Sequence, residues 1–115
     1  MTAIIRAAAT IANGAALSGA VNLEHMDLFA IEMPAAWTAA AITFSASYDG
    51  TTYLDVYEDD GDEVSFTVDA SRYVLIRDPA KFFGIKQIKV RSGTTGTPVN
   101  QGGARTVNLI CIPDA

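Results

Sequence analysis

Most of what catalysis requires is scarce in this sequence. Its 115 residues include one cysteine, one histidine and one tryptophan. A lone Cys111 excludes an internal disulfide and a cysteine-ligated zinc site. Its neighbours Leu109, Ile110 and Ile112 mark it as a small buried apolar residue rather than a reactive thiol. His25 lies in Leu23-Glu24-His25-Met26-Asp27, which reads as a turn, and the chain carries no Gly-x-Ser-x-Gly elbow, P-loop or His-Glu-x-x-His pattern. Neither an enzyme nor a cofactor is expected. No apolar run is long enough to cross a bilayer, so no membrane partner is expected. The opening stretch, Met1 to Ala20, lacks the leucine-rich segment of a secretory signal. Positive charge is also short: the formal net charge is -5, which argues against nucleic acid, whose phosphates call for a basic face.

The charge that is present is segregated. Glu58, Asp59, Asp60, Asp62 and Glu63 form one acidic cluster, and the remaining eight acids balance eight lysines and arginines. Arg6 is the only base before Arg72; Arg77, Lys81, Lys86, Lys89, Arg91 and Arg105 follow. An acidic turn and a basic ridge of Lys86, Lys89 and Arg91 suit contact between copies of the chain, a trimer being one such assembly.

Half of the residues are hydrophobic, and their spacing is that of strands. Ile42, Phe44, Ala46 and Tyr48 share one face while Thr43, Ser45 and Ser47 share the other, so Tyr48 is expected in the core. Val64, Phe66 and Val68 alternate with Ser65, Thr67 and Asp69, and Ile88 and Val90 with Gln87, Lys89 and Arg91. Phe29, Ile31 and Met33 are expected to oppose Leu28, Ala30 and Glu32. Arg72 to Arg77 is apolar on both faces, as a central strand would be. Ala80 to Phe83 reads as one helical turn, and another is expected near Trp37. Asn13-Gly14 is a hairpin signal, because a tight primed turn needs positive φ at both central residues; residues 1–24 read as a hairpin or as an extended arm. About eight strands, with turn signals every ten residues or so, predict an all-β antiparallel sandwich of jelly-roll type in a single domain over 1–115.

Three features invite a functional reading. The acidic turn offers carboxylates to Ca²⁺, but without EF-hand spacing it reads as a solvated hairpin tip, and no metal is expected. Tyr53 and Tyr57 lie on one side of their strand with Asp55, where flat rings could stack on a sugar. The Ser92 to Ala104 loop, rich in Gly and Thr and containing Pro98, is long for a compact domain. It reads as a contact surface, with Thr94, Thr95, Thr97, Pro98 and Asn100 as its candidate residues. Ile4, Ile5 and Arg6 are the corresponding candidates at the N-terminal end.

Several stretches carry a resemblance: Trp37-Thr38-Ala39-Ala40-Ala41-Ile42-Thr43-Phe44, Ser47-Tyr48-Asp49-Gly50, Tyr53, Tyr57, Arg72-Tyr73, and Ile88-Lys89-Val90-Arg91-Ser92-Gly93-Thr94. Over Ser18 to Ile110 the chain resembles small structural proteins of tailed bacteriophages, β-sandwiches of the head-decoration (cement) kind. The resemblance implies a virion protein made in the bacterial cytoplasm. It would sit on the outer capsid surface, with the major capsid protein and other copies of itself as partners. A carbohydrate-binding module on a tail or fibre, recognising host glycans, is the alternative.

Overall fold

The computed structural model describes residues 3–114; Met1, Thr2 and Ala115, counted in the expected domain, lie outside the described residues. Eight strands and one short helix follow in order: β1 (Ile5–Ile11), β2 (Val21–Asn22), β3 (Met26–Glu32), β4 (Ile42–Ser47), β5 (Leu54–Asp55), β6 (Tyr73–Leu75), the 3₁₀ helix η1 (Pro79–Phe82), β7 (Gln87–Ser92) and β8 (Arg105–Pro113). They build two four-stranded sheets, β1-β8-β3-β6 and β2-β7-β4-β5, with every named pairing antiparallel.

First pairs with last, second with second-last, third with β6, and β4 with β5. The chain is therefore one long hairpin, its tip at Asp49-Gly50, rolled until its two halves face each other. This is the eight-stranded jelly roll expected from the alternation. At the tip, the Asp49 Oδ1 accepts hydrogen bonds from the Thr51 and Thr52 amides and the Ser47 hydroxyl. These bonds hold its carboxyl low, at about 2.

Ala9, Leu28, Ile31, Val107, Leu109 and Cys111 from the first sheet meet Ile42, Phe44, Ile88 and Val90 from the second in one core. Phe44 packs edge-on against Phe66 and Phe82, with centroids 5.8 and 5.3 Å away. Phe82 reaches there because η1 folds the chain over the gap between the sheets, as the expected turn of helix at Ala80 to Phe83 required. Burial pushes the Cys111 thiol up to about 11, in keeping with an inert core residue.

Five local expectations are corrected. A register shift between Leu28 and Ala30 breaks the simple alternation of β3, so Leu28 and Ile31 both point inward. Arg72 to Arg77 supplies the short edge strand β6 and not a central one; only Val74 and Ile76 turn toward the core. Tyr48 shares the parity of Phe44 but stands past the end of β4, where no opposing sheet covers it, and is 82% exposed. No helical turn forms near Trp37; its ring packs half-buried on the core, with Nε1 donating to the Ala40 carbonyl. Asn13-Gly14 makes a turn closed by the Ala15 amide on the Ala12 carbonyl, with positive φ at Gly14 alone. That turn does not build a β1–β2 hairpin, and residues 5–11 are not a free arm: β1 pairs along its whole length with β8.

Candidate interaction surface

The outer face of β2-β7-β4-β5 is closed by its own side chains. Arg91 on β7 stands over the sheet with its side chain only 11% exposed. Its guanidinium bonds Asp55 of β5, and also Thr43 of β4 at 3.3 Å and Thr95 of the following loop at 3.1 Å. Glu63, at the end of the acidic turn, lies 3.5 Å from the same guanidinium and accepts from the Thr95 amide and hydroxyl. Thr43 in turn donates to the Gly93 carbonyl at 2.7 Å. Thr43, Ser45 and Ser47 face outward, as their alternation predicts, yet all three are buried, Thr43 against this lattice and Ser47 at the tip, where it bonds Asp49 and the Gly50 amide. Alternation tells which face a side chain takes, not whether solvent reaches it.

The basic ridge is consumed in the same way. The Lys89 ammonium sits 4.3 Å from the Tyr53 ring centroid, Lys86 bonds Glu24 at 3.0 Å, and Arg91 is the hub just described. Hydrogen bonding to Lys86 lowers the Glu24 carboxyl, and the same bond raises the Lys86 ammonium. At the acidic turn, Glu58 turns to Lys81 at 2.7 Å while Glu63 turns to Arg91, so the carboxylates diverge and converge on no common centre. Ridge and acidic turn already meet within the chain, through Arg91 and Glu63.

The Ser92 to Ala104 segment is built rather than loose. The Thr94 and Thr97 amides donate to each other's carbonyls across Thr95-Gly96. Only glycine fits at 93, where φ is +91 and an added Cβ would lie 2.5 Å from the Thr97 carbonyl oxygen. Thr95, Thr97, Pro98 and Asn100 are exposed on this rim, and Thr94 is half-buried. Farther on, the buried Gln101 amide donates to the Thr38 carbonyl and the Ser92 hydroxyl, and accepts from the Thr38 amide and Arg105. Its backbone bonds Gly14 and Ala15. One residue thereby knits three loops at this end of the roll, and sequence reading missed it; a glutamine in a glycine-rich stretch carries no signal of burial.

The outer face of β1-β8-β3-β6 is different. Arg6 pairs with Glu32 at 3.2 Å, and Asn108 donates to the same carboxylate. Around that small polar island lie exposed Ala8, half-buried Ile112 and the buried Ile110 and Ala30, with the Thr10 and Thr106 hydroxyls bonded to each other at 3.1 Å farther along; the flanks are Ile4, 72% exposed, and Tyr73 and Leu75, 56% and 74% exposed. Ile5 points the other way, toward the gap between the sheets, and is half-buried. The sequence-predicted contact residues therefore divide: Ile4 and Arg6 belong to this face, whereas Lys89, Arg91 and the Thr94 to Asn100 rim belong to the opposite side.

At the end of the roll away from Gln101, Ala46, Tyr48, Leu54, Val56, Tyr57 and Ile85 border a shallow cleft of about 360 Å³. Of the two tyrosines expected to stack on sugar, Tyr57 is on this rim and half-exposed, while the Tyr53 ring is engaged by Lys89. No protein-family model, curated protein or solved structure matches the chain.

Proposed function

We propose that this protein is a phage virion structural component that binds the outer capsid surface and reinforces the head. The observation that carries the reading is the contrast between the two outer faces: one is sealed by charge pairs, while the other leaves Ile4 and Leu75 almost fully in water. Large exposed aliphatic groups on an outer sheet face mark a contact surface, since the core has no use for them; Leu54, 70% exposed, lies instead at the cleft end of the other sheet. The jelly roll is an architecture of viral capsid and lectin domains alike, so it is compatible with this role without proving it. The resemblance over Ser18 to Ile110 supports a virion role, on head or tail alike. Each copy would clamp neighbouring capsid subunits, and many modest contacts would sum to a stable shell.

The test is binding to tailed-phage heads stripped of their decoration. Saturable binding that is lost on Ile4→Asp is expected. A virion image with the protein absent from the outer head surface overturns the reading. The glycan alternative rests on Tyr57, Tyr48 and Leu54 around the open cleft. Glycan-array binding abolished by Tyr57→Ala, with Tyr53→Ala leaving it intact, would favour that alternative.

A further inference from the structure

We infer that β6 is a self-pairing edge, through which two copies of this chain join antiparallel, Val74 against Val74, into one continuous sheet. The backbone supplies the first argument. The Met33 amide donates to the Arg72 carbonyl and the Ile76 amide to the Phe29 carbonyl, with Val74 opposite Ile31 between them. In an antiparallel ladder the bonded positions alternate, so Arg72, Val74 and Ile76 address β3. Tyr73 and Leu75 aim their N–H and C=O groups away from the sheet, at open edge.

The second argument is that this edge lacks most of the usual protection. Natural edges are blunted by shortness, lysine, proline, bulges or a covering loop, and of these β6, three residues long, has shortness alone. Tyr73-Val74-Leu75 has no charge and no proline, and its two outward-facing side chains are both large, apolar and exposed. The other edge of the same sheet, β1, is partly closed where the Gly19 amide reaches the Thr10 carbonyl, and carries Arg6 and a run of alanines. On the second sheet, β2 and β5 are two residues long. Only β6 combines an open backbone with adhesive side chains.

The third argument selects a second copy as the occupant. Centring the register on Val74 sets Tyr73 of each copy opposite Leu75 of the other as the bonded pair, an aromatic–aliphatic cross-strand match repeated by the two-fold axis. The flanks are self-complementary in charge. The antiparallel two-fold brings the Arg77-Asp78 end of one copy beside the other copy's turn at Ala70-Ser71, where Ser71 has positive φ and Asp69 and Arg72 flank the turn. Among the described residues Arg77 and Asp78 form no ion pair within the chain, and Arg72 reaches Asp69 only at 3.8 Å. Each end of the strand thus offers the opposite charges to its symmetry mate. This inference does not depend on capsid binding, because it is read in solution.

The experiment is sedimentation and light scattering over a concentration series, with amide exchange on the same samples. A mass of twice 12.1 kDa at high concentration is expected, together with protection of the Tyr73 and Leu75 amides that fades on dilution. Leu75→Pro removes an outward N–H without touching the bonds to β3, and Leu75→Lys adds like charges across the axis. Both should leave a folded monomer by circular dichroism, with dimerisation weakened at least about tenfold, the equivalent of 1.4 kcal/mol. A chain that stays monomeric up to its solubility limit overturns the inference. So does a dimer that survives Leu75→Lys, or one in which the Tyr73 and Leu75 amides exchange as fast as in the monomer.

Discussion

The two sheets of this roll share a core but handle their solvent faces in opposite ways. On β2-β7-β4-β5, side chains from β4, β5, the acidic turn and the Thr95 loop converge on Arg91 of β7, and hydroxyls that alternation assigns to water end up covered. On β1-β8-β3-β6, one ion pair and one amide form an island among aliphatic groups. Polar side chains paired with each other thus close one surface, whereas the other leaves Ile4 and Leu75 largely in water. Counting charges along the chain cannot tell spent charges from free ones.

The largest effect expected is one that ignores the contrast. Phe44→Ala removes a fully buried ring shared by both sheets and should cost about 3–5 kcal/mol in denaturant unfolding. Both sheets should melt in a single transition; two transitions would mean that the layers are not one cooperative unit. Arg91→Leu tests the sealed face directly. Stripping the hub leaves Asp55 and Glu63 facing each other without a cation, and about 2 kcal/mol should be lost, less than for a fully buried pair because Asp55 is partly solvated. Arg6→Leu, its counterpart on the open face, should change stability by under about 0.5 kcal/mol, since that pair is exposed. Equal losses for the two arginines would remove the distinction between the faces.

Acid sharpens the comparison further. Asp49, at the tip beside the sealed sheet, has its carboxyl held at about 2, below the ordinary 3.8, by hydrogen bonds to its charged form. Its contribution is present above pH 3.8 and disappears as pH falls toward 2, so the deficit of Asp49→Asn should close over that window. Asp27, on the open sheet, is shifted the other way, by desolvation and then by the neighbouring Asp114. The folded state holds that proton more tightly, so stability declines as pH rises from the ordinary value through the raised one. Asp27→Asn should therefore match the wild type in acid and exceed it at neutral pH. Urea midpoints across the pH series read both trends; parallel behaviour of the two variants would contradict them.

Where sequence and structure agree, a strand lies under an opposing sheet for its whole length. Ile88 and Val90 turn inward as their spacing demands, and the jelly roll follows from enough such strands; Val64, Phe66 and Val68 also turn inward, but the expected strand over 64–68 is reduced to a single bridge from Phe66 to Ile42. Agreement fails where the answer depends on what lies across the gap. Tyr48 has a core residue's parity but outruns its cover. Tyr73 and Leu75 have a central strand's composition but sit on an edge, because apolarity on both faces describes a buried strand and an adhesive edge equally well. At the candidate surface, Ile4 and Arg6 were legible as terminal, exposed residues. Leu75 and Gln101 were not, since exposure of the one and burial of the other are set by strands far away in sequence.

The pairing of Ile5 with Cys111 has a consequence for how the molecule is made. β1 must wait, unpartnered on its sheet, for a strand made about a hundred residues later, and β3 waits for the same late arrival. Contacts of such sequence separation make folding slow and highly cooperative. Until β8 emerges, both strands present unpaired backbone, so the alanines of β1, weak formers of strands, lessen the risk of sticking to the wrong neighbour.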